Sequence, residues 1–333
     1  MNLECKVAVC SRSFSRHPVL RSELLSQYQQ VSFNDAGLEL KGDSLVEFLR
    51  GHEKAITALE VMDAAVLRQL PELRVVSKYG VGLDTIDLEA MHEQGKCLGW
   101  TGGVNRRSVS ELVLCFAIAM LRHVPEANRE VLSGTWRQHV GGNLSGRTVG
   151  IIGCGHIGKD VALLLKALGC KLLVHDIRQY EEFYAKHGIE PVDLETLLRR
   201  ADVVTVHVPL DDSTRGMLSE DRLALLKPSA VLINTARGGI VDEKSLKAML
   251  LENRLRAAAF DVFAVEPPPD RELLALPNFL ATPHIGGSAE EAILAMGRAA
   301  ILGLEQNYVP GSSRAVIEGE ASMASFRPTE AAT

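Results

Sequence analysis

No apolar run in the chain reaches the ~20 residues that cross a bilayer; the longest, Leu112 to Leu121, reads instead as a buried helix. The opening stretch, Met1 to Cys10, carries Glu4 and Lys6 and is without the long uninterrupted hydrophobic core of an export signal. Together these absences predict a cytoplasmic protein with no membrane partner. The six cysteines (Cys5, Cys10, Cys97, Cys115, Cys154 and Cys170) form no C-x-x-C pair and have no nearby histidine at ligand spacing. That argues against a disulfide framework and a zinc motif, and predicts reduced thiols with no bound metal. Nor is there a basic excess: 36 Lys and Arg stand against 42 Asp and Glu, a formal charge of -6. The overall balance invites no nucleic acid, so affinity for anions must come from a local cluster.

What is present is the composition of a soluble globular protein, 46% hydrophobic and 23% charged, in a chain of 333 residues. That length suits two domains, each with its own core. From Thr148 onward, short β-branched runs alternate with longer helical patterns, the signature of a parallel sheet covered by helices. Six strands are predicted: Thr148 to Ile152, Lys171 to His175, Val203 to His207, Ala230 to Asn234, Ala257 to Asp261 and Phe279 to Thr282. Upstream, Lys6 to Cys10, Gln30 to Phe33, Ala55 to Leu59 and Arg74 to Lys78 predict a second, smaller α/β unit. Val104 to His123 is apolar nearly all round and predicts a buried helix at the crossing between domains. Ser288 to Gln306 is a helical pattern with no strand left to feed, so it is expected to return to the first unit. The expected division is therefore 1–103 with 288–310, then 104–287, and a poorly ordered tail over 311–333.

The most specific local signal is Gly153-Cys154-Gly155-His156-Ile157-Gly158, which follows a predicted strand and opens a helix. Gly153 permits a tight turn, Gly155 lets backbone approach a pyrophosphate, and Gly158 lets helix and strand pack closely. The helix start offers free N–H groups and a partial positive charge to phosphates. Asp176 closes the next strand, 18 residues after the last glycine. Its carboxylate is placed to accept from a ribose 2′-OH and to repel a 2′-phosphate, so NAD is expected over NADP, with Arg178 the one nearby feature that softens this preference. Cys154 inside the loop reads either as an oxidation sensor or as a small residue facing the cofactor.

Three later segments place a polar residue where a buried strand ends: Asn234-Thr235-Ala236-Arg237-Gly238-Gly239, Asp261-Val262-Phe263-Ala264-Val265-Glu266-Pro267 and Thr282-Pro283-His284-Ile285-Gly286-Gly287. In open α/β sheets that edge is where ligands bind. Arg237 can hold a carboxylate through two parallel hydrogen bonds, His284 can pass a proton near neutral pH, and Glu266 paired with it would raise its pKa. Singly, each also reads as an ordinary surface or loop residue; the joint pattern carries the argument.

With Gly80-Val81-Gly82-Leu83-Asp84, His207-Val208-Pro209-Leu210 and Pro283-His284-Ile285-Gly286 added, the stretch from Val75 to Gln306 resembles the D-2-hydroxyacid dehydrogenases, and among them the phosphoglycerate dehydrogenases. The resemblance implies two doubly wound parallel-sheet domains, a Rossmann NAD domain and a smaller flavodoxin-like substrate domain, with a cleft between them. It implies that Arg237 binds the substrate carboxylate and carbonyl, that His284 is the acid/base and that Glu266 is its partner. It places Thr101, His156, Ile157, Asp176, Val208, Thr235, Ala236, Asp261 and Gly287 around NAD, and the amides near Val81 and Gly82 on a 2-keto or 2-hydroxy acid. Relatives pair through the crossing-helix region, so a homodimer is expected.

The chain also departs from the family. Trp100-Thr101-Gly102-Gly103 stands where many relatives have Asn-Thr-Pro, which predicts a looser hinge. There is no long carboxyl-terminal regulatory extension, so end-product feedback is not expected. Formate dehydrogenases carry an amide where this chain has Glu266, which argues against formate oxidation. Lys78, two residues before Gly80, stands where phosphoglycerate dehydrogenases commonly carry Arg; with Arg12, and Arg137 reaching from a partner subunit, it predicts a substrate with a second anionic group. The alternatives are a glyoxylate or hydroxypyruvate reductase and, because some relatives act as corepressors, an NADH-sensing scaffold.

Overall fold

The computed structural model describes residues 2–311, in two compact units. The expectation for the tail falls, from residue 312 on, outside the described residues. One unit comprises Met1–Asn105 with the chain from Glu290 onward, and the other is Arg106–Ala289.

In the first unit the order is β1 (Asn2–Val9), α1 (Arg12–Arg16), α2 (Pro18–Leu25), β2 (Tyr28–Phe33), α3 (Asp43–Leu49), β3 (Lys54–Thr57), α4 (Ala64–Arg68), β4 (Val75–Lys78), α5 (Leu88–Glu93) and β5 (Cys97–Gly99). All strands are parallel in the order β2-β1-β3-β4-β5, the flavodoxin-like arrangement. The central strands are short and apolar because a parallel sheet covered on both faces leaves no position for alternating polar residues; all of Val75–Lys78 is buried. The helices start where Asp63 and Asp87 accept from the amides three residues on, at Val66 and Ala90.

The second unit runs α6 (Arg106–Leu121), α7 (Val124–Leu132), β6 (Thr148–Ile152), α8 (His156–Ala167), β7 (Lys171–His175), α9 (Glu181–His187), β8 (Glu190–Pro191), α10 (Leu194–Arg200), β9 (Val203–Val206), α11 (Glu220–Leu223), β10 (Val231–Asn234), α12 (Glu243–Leu251), β11 (Ala257–Phe260), α13 (Arg271–Ala275) and β12 (Phe279–Ala281). Its seven strands are ordered β12-β11-β10-β9-β6-β7-β8, the doubly wound nucleotide-binding order with one strand beyond. The strand order reverses between β6 and β9, so the glycine loop after β6 and the His207 segment after β9 share the switch point. β9, β10 and β11 are buried along their whole lengths, and α10 lies so close on β6 that a Cβ on Gly150 would meet the Leu197 side chain. α14 (Glu290–Gly303) then packs against β4, β5 and α2 of the first unit.

The strand count needs correction in both sheets, and so does the burial of α6: the first sheet has a fifth strand, β5, of three residues. The second sheet has seven strands rather than six, because β8 is a two-residue exposed strand containing Pro191, too short to show a period. The α6 helix is not buried all round: Val109, Val113, Phe116 and Met120 face α8 and the sheet, whereas Cys115 and Ile118 are exposed. No single helix among the described residues is long and apolar enough to cross a membrane.

Candidate functional site

At the switch point, Gly153 adopts φ +93°, and a Cβ there would lie 2.6 Å from the His207 carbonyl oxygen. Gly158 is equally constrained, its Cβ falling 2.0 Å from the Gly153 carbonyl oxygen, while a Cβ on Gly155 would meet nothing within 4 Å. The first and third glycines close the turn and the second faces open space, which is the cradle a pyrophosphate needs. Gly155 caps α8 without a side-chain hydrogen bond, so the helix presents bare amides, with His156 and Ile157 in its first turn. Burial and the charges of Arg106 and Lys159 hold the His156 pKa below its usual value, so cationic groups converge on this helix start.

Asp176, just past β7, accepts from the Cys154 amide at 2.5 Å and from the Arg178 amide at 2.7 Å. Its carboxylate, expected to meet the ribose, therefore braces the glycine loop. A pocket of about 400 Å3 opens beside it, lined among others by His175, Gln179, Tyr184 and Asp193. Two carboxylates, Asp176 and Asp193, line it, a setting unfavourable to a further anion. Cys154 is fully buried, and burial, with Asp176 nearby, pushes its thiol up to about 11 against the charge of Lys159, which disfavours the thiolate that oxidation needs.

At the ends of β9 and β10, two buried polar atoms have no hydrogen-bond partner, Nδ1 of His207 and Oγ1 of Thr235. Burial drives the His207 pKa down to about 3, so this ring is neutral. Unpartnered buried polar atoms beside a glycine cradle suit the polar groups of a dinucleotide, and the residues fit NAD. Val208 is half-buried against the glycine loop, and Ala236 is buried beside Thr235. Thr101, in the first unit, is exposed, and Gly287 is half-buried in the loop after His284.

The chemistry-bearing loops follow β10, β11 and β12. Asn234 shapes the first: its side chain accepts from the Ala236 amide at 3.1 Å and donates to the Arg237 carbonyl at 2.9 Å, fixing the turn that carries Arg237, whose Nη1 donates to the Ala236 carbonyl at 2.7 Å. Asp261 shapes the third. Its buried carboxylate takes the Thr282 hydroxyl at 2.5 Å, the Ile285 amide at 2.8 Å and the Gly286 amide at 2.7 Å. Asp261, expected beside the cofactor, spends these contacts on the loop that carries His284. His284 itself has φ +54°, a conformation a non-glycine residue holds only when its surroundings fix it.

Nδ1 of His284 lies 2.9 Å from Oε2 of Glu266, and Oε1 of Glu266 accepts from the Phe263 amide at 3.0 Å. The hydrogen bond that His284 donates to Glu266 raises the His284 pKa against the opposing effects of burial and Arg237. Burial pushes Glu266 up, but the His284 and Phe263 hydrogen bonds and the charges of His284 and Arg237 outweigh it, leaving its pKa below the usual value. With Nδ1 committed to Glu266, Nε2 is the nitrogen available to a ligand. An anchored imidazolium with a guanidinium near it can polarise a carbonyl oxygen and protonate it.

The first unit holds the remaining expected residues except Arg137, which is in the second. Val81 and Gly82 are half-buried in the turn after β4, where Gly80 adopts φ +141°. The Trp100 indole donates to the Val81 carbonyl at 2.9 Å, so the tryptophan in this departure from the family pattern ties down the turn after β4. Lys78 is buried, and its ammonium donates to the Ala58 carbonyl and, at 2.8 Å, to the Thr85 hydroxyl. That differs from a lysine reaching out for a phosphate. Arg12 is exposed just past β1, and Arg137 is exposed with Glu130 3.6 Å away.

Sequence spacing gave no hint of one cluster, in which ligand atoms of His123, Glu126 and His139 lie within 4.8 Å of one another. Nε2 of His139 lies 2.6 Å from Glu130, and Arg256 donates to Nε2 of His123 at 3.0 Å. Arg256 thereby places the His123 proton on Nδ1, the atom facing Glu126 at 3.3 Å, and the group reads as a closed hydrogen-bond network.

A sequence profile described as "D-isomer specific 2-hydroxyacid dehydrogenase, NAD binding domain" matches residues 114–286. The chain belongs to the D-isomer specific 2-hydroxyacid dehydrogenase family. Its NAD-binding domain is the second unit, and NAD is its cofactor type. Among relatives of this family, the chain is 38% identical to the hydroxypyruvate reductase of Thermotoga maritima, over 69% of this chain and 76% of that protein. It is 40% identical to the D-3-phosphoglycerate dehydrogenase of Methanocaldococcus jannaschii over 70% of this chain, but only 45% of that protein. The chain spans about half the length of the phosphoglycerate dehydrogenases it matches first. Among solved structures, the holo form of Rhodotorula graminis D-mandelate dehydrogenase superimposes with a TM-score of 0.80 at 28% identity, covering 90% of this chain and 92% of that one. The fold expected from sequence, two parallel α/β domains, is that of the family.

Proposed function

We propose that the protein reduces small, unphosphorylated 2-keto acids of the hydroxypyruvate and glyoxylate type to D-2-hydroxy acids with NADH. The observation that carries this reading is the Glu266–His284 pair at 2.9 Å with the charge of Arg237 acting on both residues. NADH supplies the hydride. Arg237 holds the substrate carboxylate and polarises the carbonyl, and Nε2 of His284 gives its proton to the carbonyl oxygen while Glu266 keeps the ring charged and oriented. The turn at Val81 and Gly82 offers amides for the carboxylate. In the oxidative direction the same nitrogen, neutral, takes the proton back.

The choice of an unphosphorylated acid is supported by Lys78, whose ammonium is engaged with Ala58 and Thr85 inside the first unit. It is also supported by the fuller span of the match to a hydroxypyruvate reductase. A second reading, a substrate with a second anionic group, draws on Arg12, which is exposed at the carboxyl edge of the first sheet. A panel of hydroxypyruvate, glyoxylate and 3-phosphohydroxypyruvate with NADH decides between them by kcat/KM. Preference for the phosphorylated acid overturns the first reading, and tight NADH binding without turnover of any acid points to a sensing scaffold. We also propose a homodimer formed through the segment from Ile118 to Val140, where Ile118, Val131, Leu132, Trp136 and Val140 are exposed. Sedimentation of the native chain and of Trp136→Glu tests it, with a monomeric native chain as the contrary result.

A further inference from the structure

The loop that carries Glu266 leaves β11 with little packing of its own. Phe263 is its last buried residue, and Ala264, Val265, Glu266 and Pro267 are all exposed. Its position must come from contacts to its backbone. On one side it is held by close approach: a Cβ on Gly238, next to Arg237, would lie 1.9 Å from the Phe263 carbonyl carbon and 2.2 Å from the Ala264 nitrogen. On the other it is held by a carboxylate, because the Ala264 amide donates to Oε1 of Glu243 at 2.8 Å. Glu243 is the first residue of α12, whose start is fixed by Asp242 accepting from the amides of Lys244 and Ser245.

Glu243 is half-buried, and Asp242, Asp270 and Glu266 all bear on it; burial and these like charges push its carboxyl pKa up. Lys247, one turn along α12, is taken by Asp270 and Glu272. A carboxylate kept at such a cost, with a backbone amide as its partner, is spent on fixing that amide. We propose that Glu243 is a positioning residue for the acid/base pair: it holds Ala264 so that Glu266 meets Nδ1 of His284. The proposal rests on the acid/base reading above. Besides Glu266, the charged groups acting on His284 are Arg237 and Asp261.

Three full-chain variants separate contact from charge. Glu243→Gln keeps an oxygen for the Ala264 amide without charge, Glu243→Asp keeps charge but is too short to reach, and Glu243→Ala keeps neither. The readouts are kcat and KM for keto-acid reduction, NADH affinity, and the titration of the His284 ring by NMR. If contact matters, Ala and Asp lower kcat at neutral pH about tenfold with KM and NADH affinity within about twofold, and Gln restores kcat to within about twofold. His284 should titrate at lower pH in Ala and Asp than in Gln. Equal losses in Gln and Ala, full activity in Asp, or loss of NADH binding alongside activity would each overturn the proposal. Should the native protein turn over no 2-keto acid, the functional reading fails, while the ring titration still decides the role of Glu243.

Discussion

The Trp100 indole nitrogen stands 2.9 Å from the Val81 carbonyl oxygen, linking the end of β5 to the turn proposed to meet the substrate carboxylate. Trp100→Phe keeps most of the ring's packing and loses this donor. A single half-buried hydrogen bond is worth about 1 kcal/mol, so KM for the keto acid should rise about fivefold. NADH affinity should not change, since the contact lies in the first unit; steady-state kinetics with a separate binding titration checks both.

Because Glu266 raises the His284 pKa, reduction should be flat at low pH and fall only as pH passes that raised value. Glu266→Gln should move the falling limb to lower pH and cost about tenfold in reduction at neutral pH, with oxidation affected less. The same sign applies to stability. The pair contributes below the ordinary histidine value and the contribution is lost as pH rises through the raised one, a small effect because His284 and Glu266 are 51% and 39% exposed. A pH profile of reduction unmoved by the substitution is the result that contradicts the pairing.

Asp176 has two tasks that one variant separates. Asp176→Ala removes the charge opposing a 2′-phosphate and also the acceptor of the Cys154 amide. The preference for NADH over NADPH should narrow about tenfold, chiefly through weaker NADH binding. A variant whose cofactor preference matches that of the native protein would show that discrimination lies elsewhere.

Arg107 on α6 grips Asp160 on α8 through two hydrogen bonds, of 2.9 and 2.8 Å. Burial pushes the Asp160 pKa up, but the hydrogen bonds of Arg107 and Ser110 and the nearby guanidinium charges bring it below the usual value. Arg107→Ala should cost about 1 kcal/mol, at the low end for a charge-assisted pair because the arginine is 58% exposed. The loss should be present above the ordinary aspartate value and vanish as pH falls through the lowered one, which denaturant unfolding at two pH values measures.

Much of this was legible in sequence because a parallel sheet announces itself. Thr148–Ile152 and Lys171–His175 are apolar runs closed by glycine or aspartate, and their ends fell where the pattern put them. β5 and β8 were missed because three and two residues carry no period. α7 was missed because its stretch follows the apolar segment without a marked break. In the candidate site, Arg237, Glu266 and His284 stood out by residue type at strand ends. Asn234, Trp100 and Glu243 did not, since each acts on another residue's backbone and nothing local marks that partner. Lys78, expected in the loop, closes strand β4, and its internal acceptors, Ala58 and Thr85, lie on other segments of the chain.

The return of α14 sets the order in which the molecule can be assembled during synthesis. Ala300, Ile301 and Leu304 complete the cluster formed by Val7, Phe14, Leu20, Tyr28 and Ile56, and a Cβ on Gly297 would strike Leu20. Gly99 sits against Gly303, and Leu98 exchanges backbone hydrogen bonds with Tyr308. The amino-terminal unit, though begun first, thus keeps an uncovered apolar face until Glu290–Gly303 has emerged from the ribosome. The Arg106–Ala289 unit, continuous in sequence, can close before it. A nascent chain stalled before Glu290 is then a folded nucleotide-binding unit trailing an unfinished one, the species from which aggregation would start.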